Sequence, residues 1–456
     1  MSPTSYTSVP NGSRKERCLS ASQIAKDAGT FEIWSARQGC EEVDLTEDFP
    51  AELEVHVDEV FNLVGRLPFA WVDEANTIQG SKAHRRLIRA VGPAFLDFLR
   101  AAYDSNPDLF SSLVRHDDVS RSMLGALQAV SITWSSAQRM RQSSRKWSEA
   151  DYATSVYIPL RAAGVLCSDL RAQCSIPLPQ PLAKQVTAQE VRILNAQTAK
   201  PDGSLWLPTR LLVDLCRKED SPFKILSRSS KKPDNVLSAA GGESSFRYQS
   251  TLCKKLPDER VFEIASAFWE DKKPSQDELD VAYRQNRMAT TSALRQLHAL
   301  NVRAPVFGVV WAEGCVRAHV DWWKLHNGDL RIYSAAYSGP PPQDARRTST
   351  AFHQWNLANP SDIIQVYLLI SNLDRWTTGR FRQSVISGVT ALAGEVQAGK
   401  TSVTPWRRKG DVGRLVKKAG PDTVGESVSS TEPAKRVKTK RRRKARRSSS
   451  ISQTHA

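Results

Sequence analysis

No apolar run in this 456-residue chain approaches the ~20 residues that a helix needs to cross a bilayer. Met1-Ser2-Pro3-Thr4-Ser5-Tyr6-Thr7 lacks the apolar core of a secretory signal, so a soluble intracellular protein with no membrane partner is expected. Paired cysteines are missing too. Cys18, Cys40, Cys167, Cys174, Cys216, Cys253 and Cys315 are odd in number and scattered, with no C-x-x-C. That excludes a disulfide framework and a zinc knuckle, and fits reduced thiols. His298, His319, His326 and His353 lack the H-x-x-x-H spacing of a metal site. Acidic residues are scarce in one place only. From Arg407 to Arg447 there are sixteen Lys and Arg against four acids, a net +12, which leaves +4 of the total +16 for everything else. The basicity belongs to the tail and says little about what the folded part binds.

The patterning divides the chain into four regions. Residues 1–45 are rich in Ser, Thr, Gly and charge without a sustained period, and are expected to be disordered. Residues 46–145 carry helical spacing at Leu53, Val57, Val60, Phe61 and Val64, and again at Leu87, Ile88, Val91, Phe95, Phe98 and Leu99. Met123, Leu127, Val130 and Trp134 extend that helical region, which shows no chemistry. Residues 146–395 mix both periods. Ser148 is placed to cap a helix through Glu149 and Tyr152, which Pro159 should kink. Leu211 to Leu215 reads as either strand or helix. Pro233-Asp234-Asn235-Val236-Leu237 reads as the start of a strand, and Val261 to Trp269 as another, stopped by Pro274. Gln276 to Leu300 is a long helix. Val306 to Trp311 and Cys315 to Val320 form a hairpin about Ala312-Glu313-Gly314, and closing helices span Ser361 to Leu373 and Gly379 to Leu392. Residues 396–456 form a basic tail whose like charges repel and predict disorder.

One constellation could carry chemistry. Carboxylates on neighbouring strands, ~4.8 Å apart, can share a divalent cation that activates water and neutralises charge on phosphorus. A nearby lysine can stabilise that charge. Asp234 at a strand start and Glu270 at a strand end suit this, and Glu270 and Lys272 project to one face of an extended chain. Pro-Asp occurs at Pro107, Pro201, Pro233, Pro257 and Pro421, and such a pair is usually a turn. Pro233-Asp234 is preferred because a strand follows it and a hairpin's length separates it from Glu270. Asp271-x-Lys273 remains a competing match, and the whole acidic–basic run also suits a solvated strand end.

The order of helix with Glu149, strand with Pro233-Asp234, strand with Glu270-Asp271-Lys272, long helix and hairpin resembles the PD-(D/E)XK nuclease superfamily. Val261 to Trp323 is also similar to nuclease-like domains of uncharacterised proteins from mushroom-forming fungi. Glu270-x-Lys272, Gln296-Leu297 and Val306-Phe307-Gly308-Val309-Val310-Trp311 carry that likeness. The resemblance implies an α/β (α+β) fold: a mixed sheet flanked by helices with a restriction-endonuclease-like core. It implies Asp234 and Glu270 as metal ligands, Lys272 as catalytic lysine and Glu149 as an auxiliary ligand. The expected cofactor is Mg²⁺ or Mn²⁺, and the expected partner DNA or RNA. The implied activity is endonuclease or exonuclease cleavage, or that of a degenerate relative. The alternative is a non-catalytic nuclear module that uses the same fold to hold protein or DNA.

Three further features bear on function. Lys435, Arg436, Lys438, Lys440, Arg441, Arg442, Arg443, Lys444, Arg446 and Arg447 resemble a nuclear localisation signal for an import receptor. Phosphorylation of the following Ser448, Ser449 and Ser450 would weaken its charge. Gly394 to Thr401 spells a phosphate-binding loop, G-x-x-x-x-G-K-T, but the segment before it reads as helix and Pro405 follows, so the match is read as accidental. Trp311, Trp322 and Trp323 are read as packing residues rather than base-stacking platforms.

Overall fold

Strand Val306–Ala312 turns into strand Cys315–His326 through Glu313 and Gly314, at φ 55° and 72°. Both turn residues are left-handed, the twist that a two-residue hairpin needs, and the register closes directly on Ala312 and Cys315. This hairpin is the centre of the computed structural model, which describes residues 18–45, 49–73, 91–115, 119–182, 185–229, 246–274, 278–340 and 352–407. The strands of the main sheet are β1 (Cys40–Glu42), β2 (Asp169–Ala172), β3 (Gly203–Trp206), β4 (Ala265–Asp271), β5 (Val306–Ala312), β6 (Cys315–His326), β7 (Asp329–Ala336) and β8 (Trp355–Asn356). They lie in the order β1-β7-β6-β5-β4-β3-β2, with β8 added to the start of β6. Pairs β1/β7 and β4/β5 are parallel and the others antiparallel, so the sheet is mixed.

Helices cover both faces. α1 (Ala21–Lys26), α2 (Ala28–Gln38) and α3 (Ala51–Phe61) come first, then α4 (Pro93–Ser105) and α5 (Arg121–Gln142). α6 (Glu149–Tyr152) and α7 (Ile158–Gly164) follow, joined by a π-helical turn, Ala153–Tyr157. α8 (Leu279–Ala299) crosses between the parallel strands β4 and β5, as such strands require. α9 (Pro360–Trp376) and α10 (Arg382–Gln397) close the fold. Alternation along β5 sorts the two faces. Val310 and Ala312 pack under α8 with Ala282 and Tyr283. Phe307 meets Phe61 and Trp376 on the opposite side, and Trp311 meets Tyr157 there. α8 is buried nearly all round because α1 packs on its outer side.

Several expectations need correction. Residues 18–45 are ordered: Ser20 and Gln23 form a capping box, and Ile24, Phe31 and Trp34 are buried. The segment was opaque because its apolar residues are few and its helices short, and tertiary burial supplies the order. The region after 395 also begins folded. Val403 and Trp406 are buried, and Trp406 Nε1 donates to the Gln249 carbonyl at 2.8 Å. The helices of 46–145 do not stand apart, since α3, α4 and α5 all pack on α9. Pro159 sits at the start of α7, so the irregularity falls before it, in the π-helical turn. Leu211 to Leu215 lies in a 3₁₀ turn, and β1, β2, β3, β7 and β8 have no counterpart among the expected strands. Trp311, Trp322 and Trp323 are core, as expected, at 0%, 0% and 4% exposure. Gly394 to Gln397 is the end of α10, so no strand leads into the loop-like motif. Asp234 and the basic residues from Lys435 to Arg447 lie outside the described residues.

Candidate active site

At its end β4 passes from core to chemistry. Ala265, Ala267, Phe268 and Trp269 are wholly buried, and Glu270-Asp271-Lys272 follows. Glu270 is 1% exposed and Lys272 Nζ donates to its Oε1 at 3.1 Å. The period of two thus brings this carboxylate and ammonium to one face, as expected. Asp271 turns the other way. Arg161 of α7 forks onto both its oxygens, with Nη1 to Oδ2 at 3.0 Å and Nη2 to Oδ1. The Arg161 guanidinium also lies over the rings of Trp269 and Trp311. With its carboxylate consumed by Arg161, Asp271 is a structural partner, which favours Glu270-x-Lys272 over Asp271-x-Lys273.

The second carboxylate beside this strand end is Asp202. It immediately precedes β3, which pairs antiparallel with β4 so that Gly203 stands opposite Trp269. Asp202 Oδ2 accepts from the Asp271 backbone N–H at 2.9 Å, and Oδ1 accepts from Gln173 Nε2 at 3.0 Å. Those two donors fix the carboxylate's orientation. Pro201-Asp202 is one of the five Pro-Asp pairs and is not the one that the sequence pattern singles out. The signal that could have selected it is the short apolar run Leu205-Trp206-Leu207 just behind it, all buried. The long stretch between β3 and β4 hid the fact that the two are neighbours.

Glu149 opens α6 at the rim of the same place. Ser148 accepts from the Asp151 N–H at 3.2 Å, and Asp151 accepts in return from the Ser148 N–H at 2.8 Å. This capping box sets where α6 begins. Tyr157, about two turns on, donates its hydroxyl to the Lys272 carbonyl at 2.9 Å and ties the helix to the strand end.

Glu270, Asp202 and Glu149 each take up a proton more readily than usual. Burial pushes Glu270 well above the ordinary glutamate value, the charge of Asp202 adds to this, and Lys272 opposes it. Burial raises Asp202, with Asp271 next. Glu149 is raised by its packing; Lys272 pulls it down and Asp202 pushes it up. Burial would lower Lys272, but Glu270, Glu149 and Asp202 together outweigh it and the net direction is upward. Clustered acids that repel one another mark a place that favours added positive charge.

Glu270 Oε2 is buried with no hydrogen-bond donor, which is costly for a carboxylate oxygen. Among the described residues no three His, Cys, Asp or Glu side chains are gathered into an ion cage. Mg²⁺ does not need one: it is commonly held by one or two carboxylates, with waters and substrate phosphate completing the shell. Asp202 and the orphaned oxygen of Glu270 are the hard-oxygen groups that could serve in this way, with Glu149 close enough to feel the charge of Asp202.

No protein-family model matches this sequence, and no curated protein aligns with it. The class of this site therefore rests on its geometry.

Proposed function

We propose that this chain is a metal-dependent phosphodiesterase acting on nucleic acid. The observation that carries the reading is the junction of β3 and β4, where Glu270, with an unpartnered buried oxygen, sits beside Lys272 and the charge of Asp202. The chain order is helix α6–α7, strands β2, β3 and β4, crossover helix α8, and β5 parallel to β4. That order supports a restriction-endonuclease-like core, with the acids and lysine at its strand ends.

In this reading Asp202 and Glu270 hold Mg²⁺ or Mn²⁺, with Glu149 as an auxiliary carboxylate. A bound ion of this kind supplies an activated water and neutralises charge on the phosphoryl group. Lys272, kept protonated by Glu270, faces the developing negative charge on a phosphate oxygen. Arg161 and Asp271 lock the strand end from the opposite face, and Gln173 aims Asp202.

The test is cleavage of single- and double-stranded DNA and RNA by the full chain, with Mg²⁺ or Mn²⁺ against EDTA. Asp202→Ala, Lys272→Ala and Asp234→Ala are compared. Metal-dependent cutting is expected, and loss of Asp202 or Lys272 should reduce it by on the order of 10²–10³-fold. Asp234→Ala should cut normally; if it alone abolishes cutting, the metal site is built around Asp234 instead. A folded wild type that cuts nothing favours a non-catalytic module that holds nucleic acid or protein.

The basic tail extends this reading to the nucleus, with an import receptor as partner. Residues 430–456 fused to a fluorescent protein should concentrate in nuclei. Replacing Lys440, Arg441, Arg442, Arg443 and Lys444 with Ala should leave the fusion spread through the cell. Equal distribution of the two fusions sinks the localisation.

A further inference from the structure

Two cysteines far apart in sequence meet beside the β2 edge of the sheet. Cys174 lies just beyond β2, and Cys253 lies between the Thr251 bridge to Glu263 and Lys254. The Lys254 N–H donates to the Ser175 carbonyl at 2.8 Å, so the two backbones are bonded one residue beyond each cysteine. Arg171 Nη1 donates to Cys253 Sγ at 3.7 Å and to Glu263 Oε1 at 2.8 Å. Both thiols are half-buried, and neither is in a disulfide.

We propose that Cys174 and Cys253 form a reversible dithiol–disulfide pair that responds to hydroperoxides. Backbones joined by a direct hydrogen bond suit the short span that a disulfide bridges. The chemistry balances with one peroxide. The Cys174 thiolate attacks a peroxide oxygen, breaking the O–O bond to give a sulfenic acid, and the released hydroxide takes a proton to become water. Cys253 then attacks the Cys174 sulfur, forming S–S and expelling the second water. Overall, two thiols are oxidised, one peroxide is reduced, and a small-molecule thiol reverses the change. The local electrostatics support Cys174 as the attacking partner. A hydrogen bond from Cys253 holds its thiol below the ordinary value, and Arg171 acts in the same direction against burial. Cys253 is displaced upward by the same contact, so it remains a thiol while Cys174 reacts first.

The pair also touches the candidate active site. Gln173, adjacent to Cys174 and strained at φ 52°, is the residue whose side chain aims Asp202. Bridging Cys174 would pull on that donor, so oxidation should slow cleavage; this consequence alone rests on the function proposed above.

The full chain is treated with an equivalent of hydrogen peroxide, alkylated with iodoacetamide, digested and mapped by mass spectrometry. A linked peptide joining Cys174 to Cys253 is expected, with two of the seven thiols lost and both restored by dithiothreitol. In Cys253→Ser the Cys174 sulfenic acid should persist and be trapped by dimedone. Alkylation of both cysteines after peroxide, or linkage only through exposed Cys18 or Cys167, overturns the pair. None of these readouts measures cleavage. A chain that forms the bridge yet cuts nothing defeats the catalytic reading and leaves the redox pair standing.

Discussion

His56 accepts a hydrogen bond from Trp376 Nε1 at 2.9 Å through its own Nδ1, deep between α3 and α9. That bond needs the nitrogen unprotonated. Burial lowers the His56 pKa to about 4, and the charge of Arg380 adds to the effect. The folded chain therefore binds this proton later than the unfolded chain does. Stability from His56 is complete above about 6.5 and is lost as pH falls toward about 4. His298 contributes in the same direction. His56→Gln keeps an acceptor for Trp376 but cannot titrate. Its melting temperature should fall less steeply than wild type between pH 6.5 and 4, and equal slopes would show that His56 is not the group responsible. At this same scale the site divides into what could be read and what could not. Glu270 and Lys272 were legible because a strand's period of two is local. Asp202 was not, because five Pro-Asp pairs look alike and only pairing across the sheet separates them. Arg161 carries no motif at all; its role appears only once Asp271 is seen on the opposite face.

Elements show the same division. α8 and the β5–β6 hairpin were legible because each is set by its own sequence: a long amphipathic run, and two apolar runs about a Glu-Gly turn. β1, β2 and β7 are short or half-polar and exist because a neighbour pairs with them, which periodicity cannot register. The contact between β5 and α8 depends on one glycine. A Cβ at Gly308 would lie 1.8 Å from His319 Nε2 and 2.5 Å from Asn286 Oδ1. Those two atoms are hydrogen-bonded at 3.1 Å, while His319 Nδ1 meets Asp321 Oδ1 at 2.7 Å and Asn286 Nδ2 donates to the Phe268 carbonyl at 3.1 Å. Gly308→Ala must break this buried chain as well as overpack it. A loss of about 2–4 kcal/mol is expected, seen as a lower urea midpoint at unchanged slope. A midpoint within error of wild type would mean that the network is not rigid.

For the whole molecule, the described residues belong to one compact unit, and its first segment is part of the core. Glu42 pairs with buried Arg287 at 2.7 Å, and Gln38 accepts from buried Arg295 at 3.1 Å. A chain beginning at residue 46 leaves both guanidinium groups without those partners, strips β1 from the edge of β7, and uncovers α8. Each buried guanidinium would lose one hydrogen-bond acceptor, a cost of about 1–3 kcal/mol apiece. The shortened chain should be poorly soluble and lose its near-ultraviolet circular dichroism, while a chain beginning at residue 18 keeps both. Equal solubility and cooperativity for the two would show that the first segment is dispensable. That segment also imposes an order on synthesis. Glu41 is bound to Arg331 of β7, 290 residues further along. At about 5–20 residues per second, the ribosome needs on the order of 15–60 s to deliver the strand that β1 must join. Throughout that interval β1 has no strand to join, although α2 meets the helix Ala188–Leu194 sooner, so a newborn copy closes this edge of its sheet only after Arg331 is made.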